Sequence, residues 1–317
     1  MTDAEAQQSI QTQFELSSTN GLSAATDPMI VFACACLRRG FRSLLKHQPS
    51  HGTVPSPDDI HRIRIAARRL RVALRLFKDV LPSDAADLRH ELRWFGHSLG
   101  EVRDLDVYTH EFRAYREAVP VEQTHELEDY ERHLQRTRSD ARSDLIPLFA
   151  DRRYQALVHS LAMFLEGTPA EDAPLSWRSL RVADGARDHL QASARRVLKL
   201  GDKMDRNSSA RRLHRLRIKT KRLRYELEFF AQIYPSLAES AQVAKRLQDV
   251  LGKHQDACTG SARLRAYMDK HGASRGLERL LETQQRKAAG ARRRFDAEWR
   301  AFKKGLSIDE LRMLLAA

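Results

Sequence analysis

Cysteine is scarce in this sequence, with three in 317 residues: Cys34, Cys36 and Cys258. An odd count in a long chain excludes a disulfide framework, and Cys34 and Cys36 lie about 200° apart on a helix, facing different ways. All three are expected as reduced core thiols. Glycine and proline are sparse as well, at 14 and 10 residues, and almost no alternating β-branched run occurs, which excludes a sheet-based architecture. No apolar run approaches the roughly 18–20 residues that a membrane helix requires, and the N-terminus lacks the features of a secretion signal. A soluble, cytoplasmic protein is the expectation. Missing too are a P-loop, a glycine-rich phosphate cradle, His-Glu-x-x-His and Cys-x-x-Cys. Without a carboxylate cluster to hold Mg²⁺, no phosphoryl-transfer machinery is visible. The sequence therefore offers no catalytic residue, no metal site and no cofactor, and it does not read as an enzyme.

What the chain has in abundance is cation and helix. Lys plus Arg is 55 against 42 Asp plus Glu, and residues 1–28 contain four acids and no base, so the positive excess over the remainder is larger still. That excess points to an anionic partner: nucleic acid, an anionic surface or a phosphate polymer. Ala, Leu, Arg and Glu dominate, which predicts an all-α chain. Residues 1–28 read as a poorly ordered leader. Helices are expected over about 29–47, 58–80, a long one from Ala85 weakening near Gly100, about 121–146 before Pro147, and about 151–165. The second series runs at about 178–200, 209–233, 236–254, 257–271 and 274–303. Residues 166–177, with two prolines, a glycine and three acids in the first nine, form the expected linker. The division is thus an N-terminal bundle over 29–165, a C-terminal bundle over 178–303 and a tail helix within 304–317.

One helix is written twice. The stretch His61–Phe77 recurs 153 positions later as His214–Phe230, with nine of seventeen positions identical. Two shorter matches follow the same order: Arg38–Arg42 with Arg195–Lys199, and Leu99–Gly100–Glu101–Val102–Arg103–Asp104 with Leu251–Gly252–Lys253–His254–Gln255–Asp256. In the last pair the glycine can end a helix and the aspartate can cap the next. Three matches in one order identify an internal duplication.

On the helical wheel Ile60, Ile63, Ala67, Leu70, Leu74 and Phe77 share an arc of about 100°, as do Leu213, Leu216, Thr220, Leu223, Leu227 and Phe230. These are core positions. Beside them run His61, Arg64, Arg68, Arg71 and Arg75, and in the second copy His214, Arg217, Lys221, Arg224 and then Glu228. Like charges three and four apart repel by a few tenths of a kcal/mol per pair, so stability does not explain such a stripe. One explanation is that the arginines snorkel over the core edge and pair with acids of other helices. The other is recognition of phosphate oxygens by partly desolvated guanidiniums. From His61 to Arg75 the stripe is about 21 Å long, a length suited to a linear polyanion.

The doubled pattern His-x-x-Arg-hydrophobic-x-x-Arg/Lys-Arg-Leu-Arg, with the two Leu-Gly-x-x-x-Asp elements, resembles the CHAD family, the conserved histidine α-helical domain. The resemblance covers about residues 29–303. It implies two pseudo-twofold-related four-helix bundles around a basic central cleft or pore, and recognition of inorganic polyphosphate without chemistry. Carried over by the motif, the binding residues would be His61, Arg64, Arg68, Arg69 and Arg71 with His214, Arg217, Lys221, Arg222 and Arg224. Arg38, Arg42, Arg195 and Lys199 form a second tier. On the wheel, Arg69 and Arg222 fall away from the main stripe, and only the motif includes them. Glu226 and Glu228 stand where the first copy has Ala73 and Arg75, so the second half would grip a shorter piece of polymer. Many relatives carry a triphosphate-tunnel catalytic domain ahead of the helical one; the leader here is too short for it, so the expectation is a stand-alone binding domain that gathers at polyphosphate granules. The alternative is a protein that binds the nucleic-acid backbone, disfavoured because Tyr225 alone offers an aromatic along the stripe. Apart from His61 and His214, the thirteen histidines read as surface residues.

Overall fold

Local chemistry starts the first basic helix. In the computed structural model, which describes residues 24–50, 52–167, 174–205 and 207–316, the Ser56 side chain accepts a hydrogen bond from the Asp59 amide at 3.0 Å. Pro57 takes the first turn with Asp58 and Asp59 beside it, where the helix end is positive. This helix is α2 (Pro57–Leu76), preceded by α1 (Met29–Lys46) and followed by α3 (Ala85–Ala118). A 3-10 segment, Val121–Leu127, leads into α4 (Glu128–Ser143), α5 (Leu145–Ala150), α6 (Arg152–Glu166) and α7 (Leu175–Ser179). The remaining helices are α8 (Val182–Gly201), α9 (Ala210–Phe230), α10 (Leu237–His271), α11 (Arg275–Gly305) and α12 (Ile308–Leu314). Helix accounts for 83% of the structure, and no strand occurs among the described residues. The fold is all-α.

Several boundaries differ from expectation. Both α3 and α10 run unbroken through Gly100 and Gly252, so Asp104 and Asp256 lie inside helices and cap nothing. A mid-helix glycine costs only about 1 kcal/mol relative to alanine. Burial of Leu99, Val102 and Leu105, or of Leu247 and Leu251, outweighs that cost. The glycine that does stop α10 is Gly272, at φ 90°, whose amide donates to Met268 O at 2.8 Å. The helix expected over 121–146 opens as a 3-10 segment and ends at Ser143. Pro147 then sits in the first turn of α5, where its missing N–H needs no partner.

Residues 1–23 of the expected leader lie outside the described residues, as do 168–173 of the expected linker. The end of the leader is paired: Val182 N donates to Asp27 O at 3.0 Å, Ala183 N to Ala25 O at 3.0 Å and Met29 N to Leu180 O at 2.8 Å. Residues 25–29 and the chain that follows 168–173 are therefore tied to each other by backbone hydrogen bonds.

The described residues form two compact units. One comprises those up to Asp106 together with Arg138–Ala186; the other comprises Val107–Thr137 and the chain from Arg187 onward. Their boundaries fall within α3, α4 and α8. Residues 107–137, which sequence order assigns to the first half, join the second unit through a buried cluster. There Tyr108, Phe112, Leu127, Tyr130 and Leu134 pack with Leu264, Leu277 and Leu280. The two phenols of Tyr108 and Tyr130 hydrogen-bond at 2.9 Å, satisfying each other away from water. In the first unit, α1 and α2 approach closely because Gly40 leaves room for Leu70: an added Cβ would lie 2.9 Å from its Cδ2. Phe32 meets Phe77 edge-on at 5.7 Å, and Phe95 stacks on Tyr154 at 4.7 Å.

Cys34 and Cys36 are buried free thiols, while Cys258 is only half-buried, with its Sγ 3.8 Å from His254 Nδ1. Burial pushes the Cys36 thiol up to about 12, so it stays protonated and inert. His254 is buried, against the surface expectation. Its position inside the continuous α10 turns it into the core.

Candidate functional site

The wheel placed a core stripe on each repeated helix, and every residue of both stripes is buried. With that phase fixed, the adjoining cations of α2 are set against α3. Arg64 donates through Nη1 to Leu99 O at 3.0 Å and to Gly100 O at 2.6 Å, and it lies 3.6 Å from the largely exposed Asp104 carboxylate. A Cβ at Gly100 would lie 3.7 Å from Arg64 Nη1, and one at Gly96 would lie 4.0 Å from Arg71 Nη1. The two glycines thus leave a shallow notch along α3 in which the guanidiniums rest.

α3 also brings cations of its own. Arg71 has its guanidinium pKa lowered, first by loss of solvent and then by Arg68, Arg93 and Arg89. The His61 imidazole is held below the ordinary histidine value by loss of solvent, then by Arg103 and Arg64. Arg89, Arg93, Gly96, Gly100 and Arg103 follow one another at spacings of four and three, so they share a face of α3. Arg64, Arg68, Arg71, Arg89, Arg93 and Arg103, with His61, form one cationic face in the first unit. Packing like charges this way raises the energy of the empty protein, and Arg71 Nε is buried with no hydrogen-bond partner.

In the second unit the equivalent contact recurs. An added Cβ at Gly252 would lie 3.6 Å from Arg217 Nε, and that Nε is buried without a hydrogen-bond partner, as is Arg224 Nε. His214 Nδ1 is 3.0 Å from Gln255 Oε1, where the first unit has Arg103. Arg224 lies 3.3 Å from Glu228 Oε1 and covers the Tyr225 ring at 4.5 Å. The positions of Arg93 and Arg89 are taken here by Lys245 and Ala241. The second face is weaker in charge.

Not all candidates join these faces. Arg69 lies with Arg39 near Cys36, on the α1 side of α2. Arg222 donates through Nε to Glu226 Oε1 at 2.6 Å, and Glu226 is fully buried. Arg38 donates to Leu165 O at 2.8 Å, closing the C-terminal end of α6, and Arg195 donates to Gln191 Oε1 at 3.0 Å. Arg42 and Lys221 are half-buried, Lys199 is exposed, and Arg75 is exposed at the end of α2. Sequence reasoning missed Arg89, Arg93 and Arg103. Their signal was the four-three rhythm, cut in two when Gly100 was read as a helix end.

A family-level comparison decides the relationship: the CHAD domain matches residues 35–265, which include most of α1, all of α2 to α9 and most of α10. The chain belongs to the CHAD family. Both basic helices and both glycine notches lie inside the CHAD match, whereas α11 and α12 lie beyond it. The fold is similar to the crystal structure of the CHAD domain from the plant Ricinus communis, at 23% identity and a TM-score of 0.64, covering 93% of this chain and 94% of that one. It is similar also to PptA from Streptomyces chartreusis, at 16% identity and a TM-score of 0.61, covering 87% and 98%. No curated protein matches the chain. Among the described residues, no group of three or more His, Cys, Asp or Glu side chains could hold a metal ion in this CHAD domain. No described helix is long and apolar enough to cross a membrane.

Proposed function

We propose that this protein binds inorganic polyphosphate through its two Arg-lined faces and performs no chemistry on it. The observation that carries the reading is the cationic face of the first unit, where arginines from α2 and α3 crowd together over a glycine notch. The CHAD family is generally associated with polyphosphate binding, not with catalysis, and the recurrence of the notch contact in the second unit supports two copies of one binding element. Presence at polyphosphate granules in the cytoplasm would follow from that affinity. Calorimetric titration at about 150 mM salt with long-chain polyphosphate, duplex DNA and RNA in parallel tests the reading. Tight binding of polyphosphate over both nucleic acids is expected. Equal binding of all three would make the protein a general polyanion binder, and phosphate release with Mg²⁺ or Mn²⁺ would make it an enzyme.

Two further outcomes follow from the geometry. Gly100→Leu should lower polyphosphate affinity about tenfold, because the larger side chain evicts Arg64 from the notch. Gly100→Ala should leave affinity within about twofold, since its Cβ makes only ordinary contact, and should raise helix stability by up to about 1 kcal/mol. Titrating both variants with polyphosphate checks the pair.

The His61 imidazole has a lowered pKa in the unliganded protein, and neighbouring phosphates raise it. Binding therefore takes up a proton. Affinity should rise as pH falls through the histidine range, by at most about tenfold per pH unit per proton taken up. It should level off below the pKa of the free protein. Calorimetry at several pH values checks this, and His61→Gln should flatten the profile.

A further inference from the structure

The second unit carries a cavity of about 650 Å³ whose lining mixes charges. Four cations border it, Lys253 from α10 and Lys287, Arg293 and Arg294 from α11, together with the carboxylates of Glu111 and Asp256. None of the four cations is among the residues of the cationic face of α9, and Asp256 is the counterpart of Asp104 in the first unit. Small residues form part of its wall: Ala257 on α10, and Gly290 on α11, where an added Cβ would lie 3.8 Å from Arg293 Nη2. The volume falls within the range of about 300–1,000 Å³ typical of small-molecule sites.

We propose that this cavity binds a small polyol carrying two or more phosphates. The cations outnumber the carboxylates, so the ligand must bear net negative charge. The two carboxylates of the lining accept hydrogen bonds and repel bare phosphate. A polyphosphate chain has no hydrogen to give them, whereas a phosphorylated polyol supplies phosphate oxygens to Lys and Arg and hydroxyl donors to Glu111 and Asp256. The aromatic ring that would stack a nucleobase is absent from the lining. Lys287 lies 3.6 Å from Glu111, and both side chains are partly exposed. An exposed pair of this kind is worth little, so exchanging the carboxylate for a ligand phosphate while Glu111 turns to a hydroxyl costs little.

The inference is independent of polyphosphate binding, and one set of titrations separates them. Inositol trisphosphate is titrated into the full chain beside tripolyphosphate, which has as many phosphorus atoms and no alcohol. The wild type should bind inositol trisphosphate, and in the Arg64→Ala, Arg217→Ala protein, whose notch arginines are gone, that binding should be at least tenfold tighter than binding of tripolyphosphate. Lys287→Ala with Arg294→Ala should lower that affinity at least tenfold, and Arg64→Ala with Arg217→Ala should leave it within twofold. Glu111→Gln with Asp256→Asn should erase the preference between the two ligands. Failure of the wild type to bind inositol trisphosphate would overturn the inference, as would equal binding of the two ligands by the Arg64→Ala, Arg217→Ala protein. Loss of binding in the Arg64→Ala, Arg217→Ala protein instead of the cavity variant would assign the ligand to the Arg faces, overturning this inference while leaving the polyphosphate reading intact.

Discussion

Changing Arg64, Arg68, Arg217 and Lys221 together to alanine should lower affinity for long-chain polyphosphate by about a thousandfold or more. A charge-assisted hydrogen bond contributes about 1.5–3 kcal/mol. Four removed at once remove at least about 4 kcal/mol after allowance for non-additivity, and every 1.4 kcal/mol is a factor of ten. Arg64 and Arg217 are the two guanidiniums seated at the glycine notches, and Arg68 is one of the cations crowding Arg71. The measurement is calorimetry over a range of salt. The salt dependence should shallow as well, because fewer cations remain to displace counterions from the polymer. Arg62→Ala with Arg215→Ala removes two exposed charges from the far side of the same helices. That control should change affinity by no more than about threefold. Equal losses in both proteins would reduce the site to net charge alone.

Asp106→Ala should destabilise the protein by about 3 kcal/mol, the largest loss expected from a single substitution outside the apolar core. Its side chain is 3% exposed and holds two arginines, Arg138 through Nε at 2.6 Å and Arg142 at 3.4 Å. Arg142 in turn donates to Pro55 O at 2.7 Å, so one carboxylate ties α3, α4 and the segment ahead of α2 together. Removing one partner of a buried pair typically costs about 3–5 kcal/mol, because the opposite charge is left uncompensated. Partial exposure of both guanidiniums keeps the cost near the lower end. For a unit of this size the melting temperature should fall by about 6–12 °C. Glu91→Ala provides the contrast: its pair with Arg153 is also short, at 2.6 Å, yet solvent reaches both side chains, and its loss should leave the melting temperature nearly unchanged. Thermal and urea denaturation of the two variants compare them directly.

The repeated helices were legible because they are amphipathic on a strict rhythm. Ile63, Leu70, Leu216 and Leu223 had to face inward, and that alone fixed which side Arg64, Arg68, Arg71, Arg217 and Lys221 occupy. The start of α2, expected at about residue 58, falls at Pro57, and the Ser56 cap found there depends only on residues within one turn. Gly100 and Gly252 were misread for the same local reason. A glycine weakens a helix by about 1 kcal/mol wherever it stands, and only the burial of its flanks against other helices decides whether the helix survives.

Arg69 and Arg222 show a second limit. The motif groups them with the stripe, yet Arg222 is held by the buried Glu226 and Arg69 lies toward Cys36. The wheel angle already separated them, and the tertiary structure supplied their partners. Arg89, Arg93 and Arg103 are the opposite case. Their face could be traced along α3, but which helix it would meet is not encoded in spacing.

By itself the sequence determined an all-α chain, a duplicated basic helix and the inward face of each copy, because helix periodicity and burial of apolar side chains depend on residues three and four apart. Only the tertiary structure decided what those helices meet. It set Arg64 over Gly100 and Arg217 over Gly252, drew Arg89 and Arg93 up to Arg71, and assigned residues 107–137 to the second unit. Each of these pairings joins residues tens to more than a hundred positions apart, and their energies come from packing that no local pattern contains.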